Sequence, residues 1–215
     1  MSIKVLLVDD HQIVREGLRV MLEKEHDITI VGEAEDGRGA EQLAQELVPD
    51  VIIMDVAMPD LNGIEATRQI TAKLSGVKII ALSMHNDRRF VLNMLKAGAA
   101  GYILKDDAFQ SLSKAIRTVM VNKSYLSHHI SDMLDNHGFT SSHGTKSTDG
   151  ELLSSREREV LQLVAEGKTS NQIAEKLHIS AKTVETHRQQ VMLKLNIKNV
   201  PELTKYAIRV GLTML

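Results

Sequence analysis

Five short apolar runs, each followed by a stretch long enough for a helix, constrain this chain more than any other feature. Val5–Val8, Ile28–Val31, Val51–Met54, Ile79–Leu82 and Tyr102–Leu104 are rich in Val and Ile and too short for helices. Each is predicted to be a strand buried on both faces. Between them apolar residues recur at helical spacing. One set is Ile13, Val14, Leu18, Met21 and Leu22; others are Ala66, Ile70 and Leu74, then Val91, Leu92 and Leu95, then Leu112, Ile116, Val119 and Met120. Five strands alternating with five helices imply an α/β fold over residues 1–122, a doubly wound, five-stranded parallel sheet covered by helices on both sides.

The alternation then stops. Nine of the thirteen residues from Gly138 to Gly150 are Gly, Ser or Thr, too few apolar groups to offset the entropy of ordering them. Residues 123–150 are therefore read as a linker, with Ile130, Met133 and Leu134 able to form one short amphipathic helix. Residues 151–215 hold no sustained strand pattern and form a small all-α domain. Its helices are expected over Arg156–Glu166 with Gly167 as the stop, from an N-cap at Ser170, from an N-cap at Ser180, and over Pro201–Met214. Formal charge follows the same division: −4 over residues 1–122, −1 over the linker and +3 over residues 151–215. An acidic front and a basic back suit different partners.

Several classes are excluded. Cysteine is absent, so there is no disulfide framework, zinc–thiolate site or cysteine nucleophile. No apolar run approaches the roughly 18 residues of a membrane span, and no signal peptide is apparent. Tryptophan is also absent, which disfavours base-stacking platforms. A cytoplasmic protein with no membrane association is the expectation. His128, His129, His137 and His143 have no matching carboxylates or regular spacing and read as solvated rather than as a metal site.

Polar residues stand where the strands end. Asp9 and Asp10 follow the first, Asp55 the third, Ser83 the fourth and Lys105 the fifth. In an open parallel sheet, ligands bind beyond the carboxyl ends of the strands, where strand order reverses. If strands one and three are neighbours, three carboxylates meet in one crevice and call for a cation. Mg2+, a hard ion that keeps waters for phosphate, fits them. Taken singly, Asp10 or Ser83 could be only a helix cap; a suitable polar group at four of five strand ends is harder to explain that way.

The run Leu6-Leu7-Val8-Asp9-Asp10-His11, the segment Met54-Asp55-Val56-Ala57-Met58-Pro59-Asp60-Leu61-Asn62-Gly63, the triplet Ala81-Leu82-Ser83 and the segment Gly101-Tyr102-Ile103-Leu104-Lys105 together closely resemble response-regulator receiver domains, of flavodoxin-like fold. The resemblance implies that Asp55 is the phosphoacceptor, served by a sensor histidine kinase. It implies that Asp10, Asp55 and the Ala57 backbone carbonyl bind Mg2+, with Asp9 acting largely through water. Lys105 would contact the phosphoryl group, and Ser83 and Tyr102 would form a switch pair.

The tail has its own resemblance. Leu153-Ser154-Ser155-Arg156-Glu157-Arg158-Glu159-Val160-Leu161, Asn171-Gln172-Ile173-Ala174 and Thr183-Val184-Glu185-Thr186-His187-Arg188 are similar to the LuxR-type (NarL/FixJ-type) helix-turn-helix domain. By that likeness the helix over 181–195 enters the major groove of promoter DNA. Glu185, Thr186 and Gln189 would face base edges, and Lys182, Thr183 and Arg188 the phosphates. Asn122 stands where Gly is common in the family. A phosphorylation-controlled transcription regulator follows, with a homodimer in the phosphorylated state and RNA polymerase as a further partner. Leu203, Ala207, Val210 and Met214 stand at spacings that suit a dimer stripe, the alternative being that this stripe only packs on its own domain. The competing readings are a Mg2+-dependent phosphohydrolase with Asp55 as nucleophile, for which the chain offers no insertion able to cap a pocket, and a stand-alone adaptor.

Overall fold

In the computed structural model, residues 2–84, 86–135 and 152–213 are described, and the chain divides into two compact units, Met1–Thr140 and Ser141–Leu215. The first unit is built on strands β1 (Ile3–Val8), β2 (Ile28–Ala34), β3 (Val51–Asp55), β4 (Lys78–Ser83), β5 (Gly101–Leu104) and β6 (Tyr125–Leu126). Their order across the sheet is β2-β1-β3-β4-β5-β6, every pair parallel. The sheet thus has six strands, not the five expected. Tyr125 and Leu126 pair with Gly101 and Tyr102, extending the sheet into residues read as linker. Two residues carry no periodicity; the open edge of β5 supplies the bonding partners that make them a strand.

Helices α1 (Gln12–Leu22), α2 (Gly37–Leu47), α3 (Gly63–Lys73), α4 (Arg88–Lys96) and α5 (Ala108–Met120) follow the first five strands, and α6 (His128–Asp135) follows β6. Side chains alternate across the strands. Val5, Leu7, Ile53, Ile80, Leu82 and Ile103 pack with Leu18 and Leu22 of α1 and with Leu112, Ile116 and Val119 of α5. In α6, Ile130 and Leu134 are buried, as the amphipathic reading of that segment expects. Ile13 departs from its expected place on the buried face and is 81% exposed. It stands nine residues before Leu22, which at about 100° per residue puts the two on opposite sides of the helix. Asn122 has a φ of 58°, a left-handed conformation that Asn adopts more readily than most residues, which explains how it serves where Gly is common.

The second unit consists of α7 (Ser155–Ala165), α8 (Ser170–Leu177), α9 (Ala181–Leu195) and α10 (Val200–Arg209). They enclose Val160, Leu161, Leu163, Ile173, Leu177, Val184, Val191, Leu203, Tyr206 and Ala207. Side-chain caps mark the starts. Ser154 and Glu157 form a reciprocal capping box on α7, and Ser180 accepts from the Thr183 amide on α9. The cap of α8 is Thr169, paired with Gln172 in a second capping box, rather than Ser170. Ser170 has Ile173 three residues on, so it cannot close such a box. The last helix ends at Arg209, with Val210 as its C-cap, short of the expected Met214. Leu203 and Ala207 are fully buried in this unit's own core and Val210 packs against it, so they do not form an outward stripe; Met214 lies outside the described residues, as do the Gly/Ser/Thr-rich stretch, His137 and His143.

Candidate phosphoryl-transfer site and nucleic-acid interface

The crevice forms where strand order reverses, between β1 and β3. Val8 pairs with Met54, so Asp9 and Asp55, one residue further along each strand, lie side by side. Both are buried, at 1% and 2% exposure. Asp10 is more open and faces the same point. One donor atom from each of Asp9, Asp10, His11 and Asp55 lies within 4.8 Å of the others. The residue after β5, Lys105, enters from the far side. Its Nζ donates to Asp55 Oδ2 at 3.0 Å and lies 2.6 Å from Asp9 Oδ2. The Ala57 amide approaches Asp55 Oδ1 at 3.4 Å.

Charge explains the chemistry of this cluster. Burial, and then the Asp9 carboxylate beside it, push the Asp55 carboxyl up to about 6, although Lys105 pulls the other way. Burial opposes the Lys105 charge, yet Asp55 and Asp9 hold its pKa above the ordinary lysine value. A set of hard oxygen donors with one buried carboxylate reluctant to ionise is a place where a divalent cation relieves repulsion, and these residues fit Mg2+. His11 belongs to the cluster, its Nδ1 2.8 Å from Asp10 Oδ1. No motif marks it as a site residue; its adjacency to two Asp is the one signal the sequence carries.

Ser83 ends β4 and Tyr102 lies in β5, both at 0% exposure. Their side chains are hydrogen-bonded, and burial pushes the Tyr102 hydroxyl up to about 12. Gly63 opens α3 beside Asp55. A Cβ there would sit 1.9 Å from the Asp55 carbonyl oxygen, so only glycine lets the helix start so close to the strand end.

In the second unit, the six residues expected at DNA all lie on α9, with unequal freedom. Lys182, Thr186 and Gln189 are exposed. Thr183 is engaged with Ser180 at the cap, Oγ to Oγ1 2.8 Å. Glu185 accepts from Ser170 of α8 and lies 3.4 Å from Arg188. Two ties anchor the helix-turn-helix to α7. Lys194 Nζ donates to Glu157 at 2.7 Å, and Arg156 Nη2 donates to the Leu177 carbonyl at 2.6 Å. Burial disfavours the Glu157 charge, but Lys194 and the Ser154 groups outweigh it and hold the carboxyl below its usual value. No helix among the described residues is long and apolar enough to cross a membrane.

A doubly wound sheet with carboxylates at its switch point, joined to a helix-turn-helix unit, defines the class of two-domain signalling regulators. Residues 5–117 match the response regulator receiver domain family, and residues 151–207 match the luxR family of bacterial regulatory proteins. The chain belongs to the two-component response regulators of LuxR type. It is 39% identical to the oxygen regulatory protein NreC of Staphylococcus epidermidis over 211 residues, 96% of this chain and 97% of that one. A LuxR-family two-component response regulator from an Aurantimonas species superposes with a TM-score of 0.62 at 34% identity, covering 64% of this chain and 98% of that one. The structure of the two-component response regulator RcsB in complex with DNA superposes with a TM-score of 0.61 at 30% identity, over 98% of this chain and all of that one. The protein is a DNA-binding response regulator, and the phosphohydrolase reading has no support.

Proposed function

We propose that Asp55 accepts a phosphoryl group from the phosphohistidine of a sensor histidine kinase and that the modified protein regulates transcription at promoter DNA. One observation carries the first half: Asp55, Asp9 and Lys105, from three separate strand ends, meet within 3.0 Å of the Lys105 ammonium. Asp10, Asp55 and the Ala57 carbonyl would hold Mg2+, with Asp9 acting largely through water. Bound there, the ion would supply positive charge to offset that of the transferring group. An Asp55 carboxylate oxygen attacks phosphorus in line, the bond to the imidazole nitrogen breaks, and the kinase histidine keeps the electron pair. Lys105 stabilises the phosphoryl oxygens as charge spreads onto them.

The product adds about −1.5 to −2 charge and new acceptor oxygens. The Ser83 hydroxyl then exchanges Tyr102 for a phosphoryl oxygen, and this exchange biases a two-state equilibrium on the face formed by α4, β5 and α5. In the second unit, Glu185, Thr186 and Gln189 read base edges while Lys182, Thr183 and Arg188 serve phosphates. The exposure of Lys182, Thr186 and Gln189 supports this division most directly. A homodimer on two half-sites supplies regulatory affinity through effective concentration, with RNA polymerase as the later partner and the cytoplasm as the setting. The test is intact-mass measurement after incubation with acetyl phosphate and Mg2+. Wild-type protein gains one phosphoryl group and Asp55→Asn gains none; a phosphorylated Asp55→Asn protein would place the acceptor elsewhere.

A further inference from the structure

Arg15 stands inside α1, away from every strand end, yet its side chain is only 13% exposed. Its guanidinium turns back to the turn that follows β1. Nη1 donates to the Asp9 backbone carbonyl at 2.6 Å. The carbonyl needs this donor because its own ladder has run out. The Asp9 amide donates to Ala34 O at 3.2 Å, but β2 ends at Ala34 and the chain turns toward Asp36, the cap of α2. No strand amide remains to pair with the Asp9 oxygen on that side.

The guanidinium is itself held. Arg15 Nε lies 3.4 Å from Glu33 Oε2, and Arg19 Nε donates to the other oxygen, Glu33 Oε1, at 2.5 Å. On the opposite side of the turn, the His11 amide donates to Asp9 Oδ1 at 3.0 Å. Thus the Asp9–Asp10 peptide is pinned at its carbonyl by Arg15, while the Asp9 side chain is pinned by His11. Asp10 has no strand to hold it: its backbone is set by the orientation of that peptide, and its carboxylate has His11 Nδ1 2.8 Å from Oδ1.

We propose that Arg15, braced by Glu33 and Arg19, is a positioning residue that sets the Asp10 carboxylate against Asp9 and Asp55 for divalent-cation binding. This rests on the metal reading of the acidic crevice. An ordinary surface ion pair would contribute little and touch no backbone. Here one arm of the guanidinium replaces a missing ladder bond directly between two ligand residues, and loss of a group orienting metal ligands typically weakens affinity by about 10- to 100-fold.

The test uses the full chain and Mn2+ as the probe, with binding followed by electron paramagnetic resonance. Arg15→Ala raises the Mn2+ dissociation constant by about tenfold, and Arg15→Lys, which keeps a donor, recovers part of the loss. Phosphorylation of Arg15→Ala by acetyl phosphate requires correspondingly more Mg2+ but reaches the wild-type rate at saturation. The thermal midpoint in chelator separates this from simple loss of packing. A variant with a lowered midpoint but wild-type Mn2+ affinity overturns the proposal, as does a reduced limiting rate at unchanged affinity. If Arg15→Ala does not fold, Arg15→Lys and Glu33→Gln decide: weakened Mn2+ binding in both supports positioning, and wild-type binding in either overturns it. Wild-type protein that binds no Mn2+ overturns the metal reading itself and this inference with it, whereas binding that is indifferent to Arg15 overturns the inference alone.

Discussion

The crevice of the first unit and the outer face of α9 in the second solve opposite problems. The crevice collects Asp9, Asp55 and Lys105 from positions up to 96 residues apart in the chain and buries them, so each charge alters the others. The α9 face draws Lys182, Thr186 and Gln189 from eight consecutive residues of one helix and leaves them in water. Burial sets these charges against one another, and the raised Asp55 carboxyl is the result; reactive groups are commonly tuned in this way. Recognition requires a rigid support beneath groups that remain free to meet a partner. The ties from α7, Lys194 to Glu157 and Arg156 to the Leu177 carbonyl, supply that rigidity without entering the face.

The contrast predicts that one substitution in the crevice costs more function than one on the face. Lys105→Ala is expected to slow phosphorylation of Asp55 by about 10²–10³-fold, the usual effect of deleting a group that stabilises developing charge. Single-turnover phosphorylation with acetyl phosphate measures it; a loss below tenfold would mean that Lys105 serves mainly to neutralise the resting carboxylates.

Beneath the face, Leu203→Ala should destabilise the second unit by about 2–5 kcal/mol, because Leu203 is 1% exposed in its core. Thermal unfolding of the full chain measures this. A change under about 1 kcal/mol would return Leu203 to the intermolecular surface where the sequence pattern placed it.

Gln189→Ala is expected to leave stability within about 0.5 kcal/mol and to alter base preference by about 1–3 kcal/mol at one position of the site. Competition binding against a library of operator variants reads both the loss and its position. Uniform weakening across all sequences would move Gln189 from base edges to the backbone.

The smallest effects differ in sign between the two units. The folded-state carboxyl of Asp55, at about 6, lies above its ordinary value of 3.8, so its ionised form opposes folding. Acidification from pH 7 to pH 5 in chelator should therefore stabilise the first unit through Asp55 by about 1 kcal/mol. Glu157 is shifted the other way. Its contribution is fully present above its unfolded value and is lost as pH falls below about 4.5 through the folded value. With Lys194 at 39% exposure, screening keeps that loss below about 1 kcal/mol. Hydrogen exchange resolved by residue follows the two units separately, and Asp55→Asn should abolish the first trend while leaving the second.

Short Val- and Ile-rich runs marked the first five strands because a buried parallel strand has little other composition open to it; β2, at the sheet edge, departs from this, with only Ile28 and Ala34 buried. The acids and the lysine that follow those runs were equally plain, since strand ends at a switch point are where ligands bind. The α9 face was readable as a contiguous run. Other features depended on residues distant in sequence. Ser170 reads as a cap because Ser and Thr are both good caps, and only the Gln172 partner distinguishes Thr169. The Leu203 and Ala207 spacing fits an intermolecular seam as well as an internal one, and the packing of α10 on α7 makes it internal. Glu185 stands at base edges by the LuxR-type resemblance alone, and its bond to Ser170, which crosses between two helices, has no local signature.

Local chemistry determined which segments could be strands, which helices, and which residues could ionise, bind a cation or meet nucleic acid, because those properties belong to side chains and their nearest neighbours. Tertiary structure decided which of them act together. It brought β1 beside β3 so that Asp9 and Asp55 share one crevice, offered the bare edge of β5 to Tyr125 and Leu126, and ended β2 one residue too early to satisfy the Asp9 carbonyl, which therefore takes its hydrogen bond from Arg15. The reason is that burial and hydrogen-bond satisfaction are conditions on the whole fold: a backbone oxygen left without a strand partner is satisfied by whatever donor the packing brings within reach, however far along the chain that donor lies.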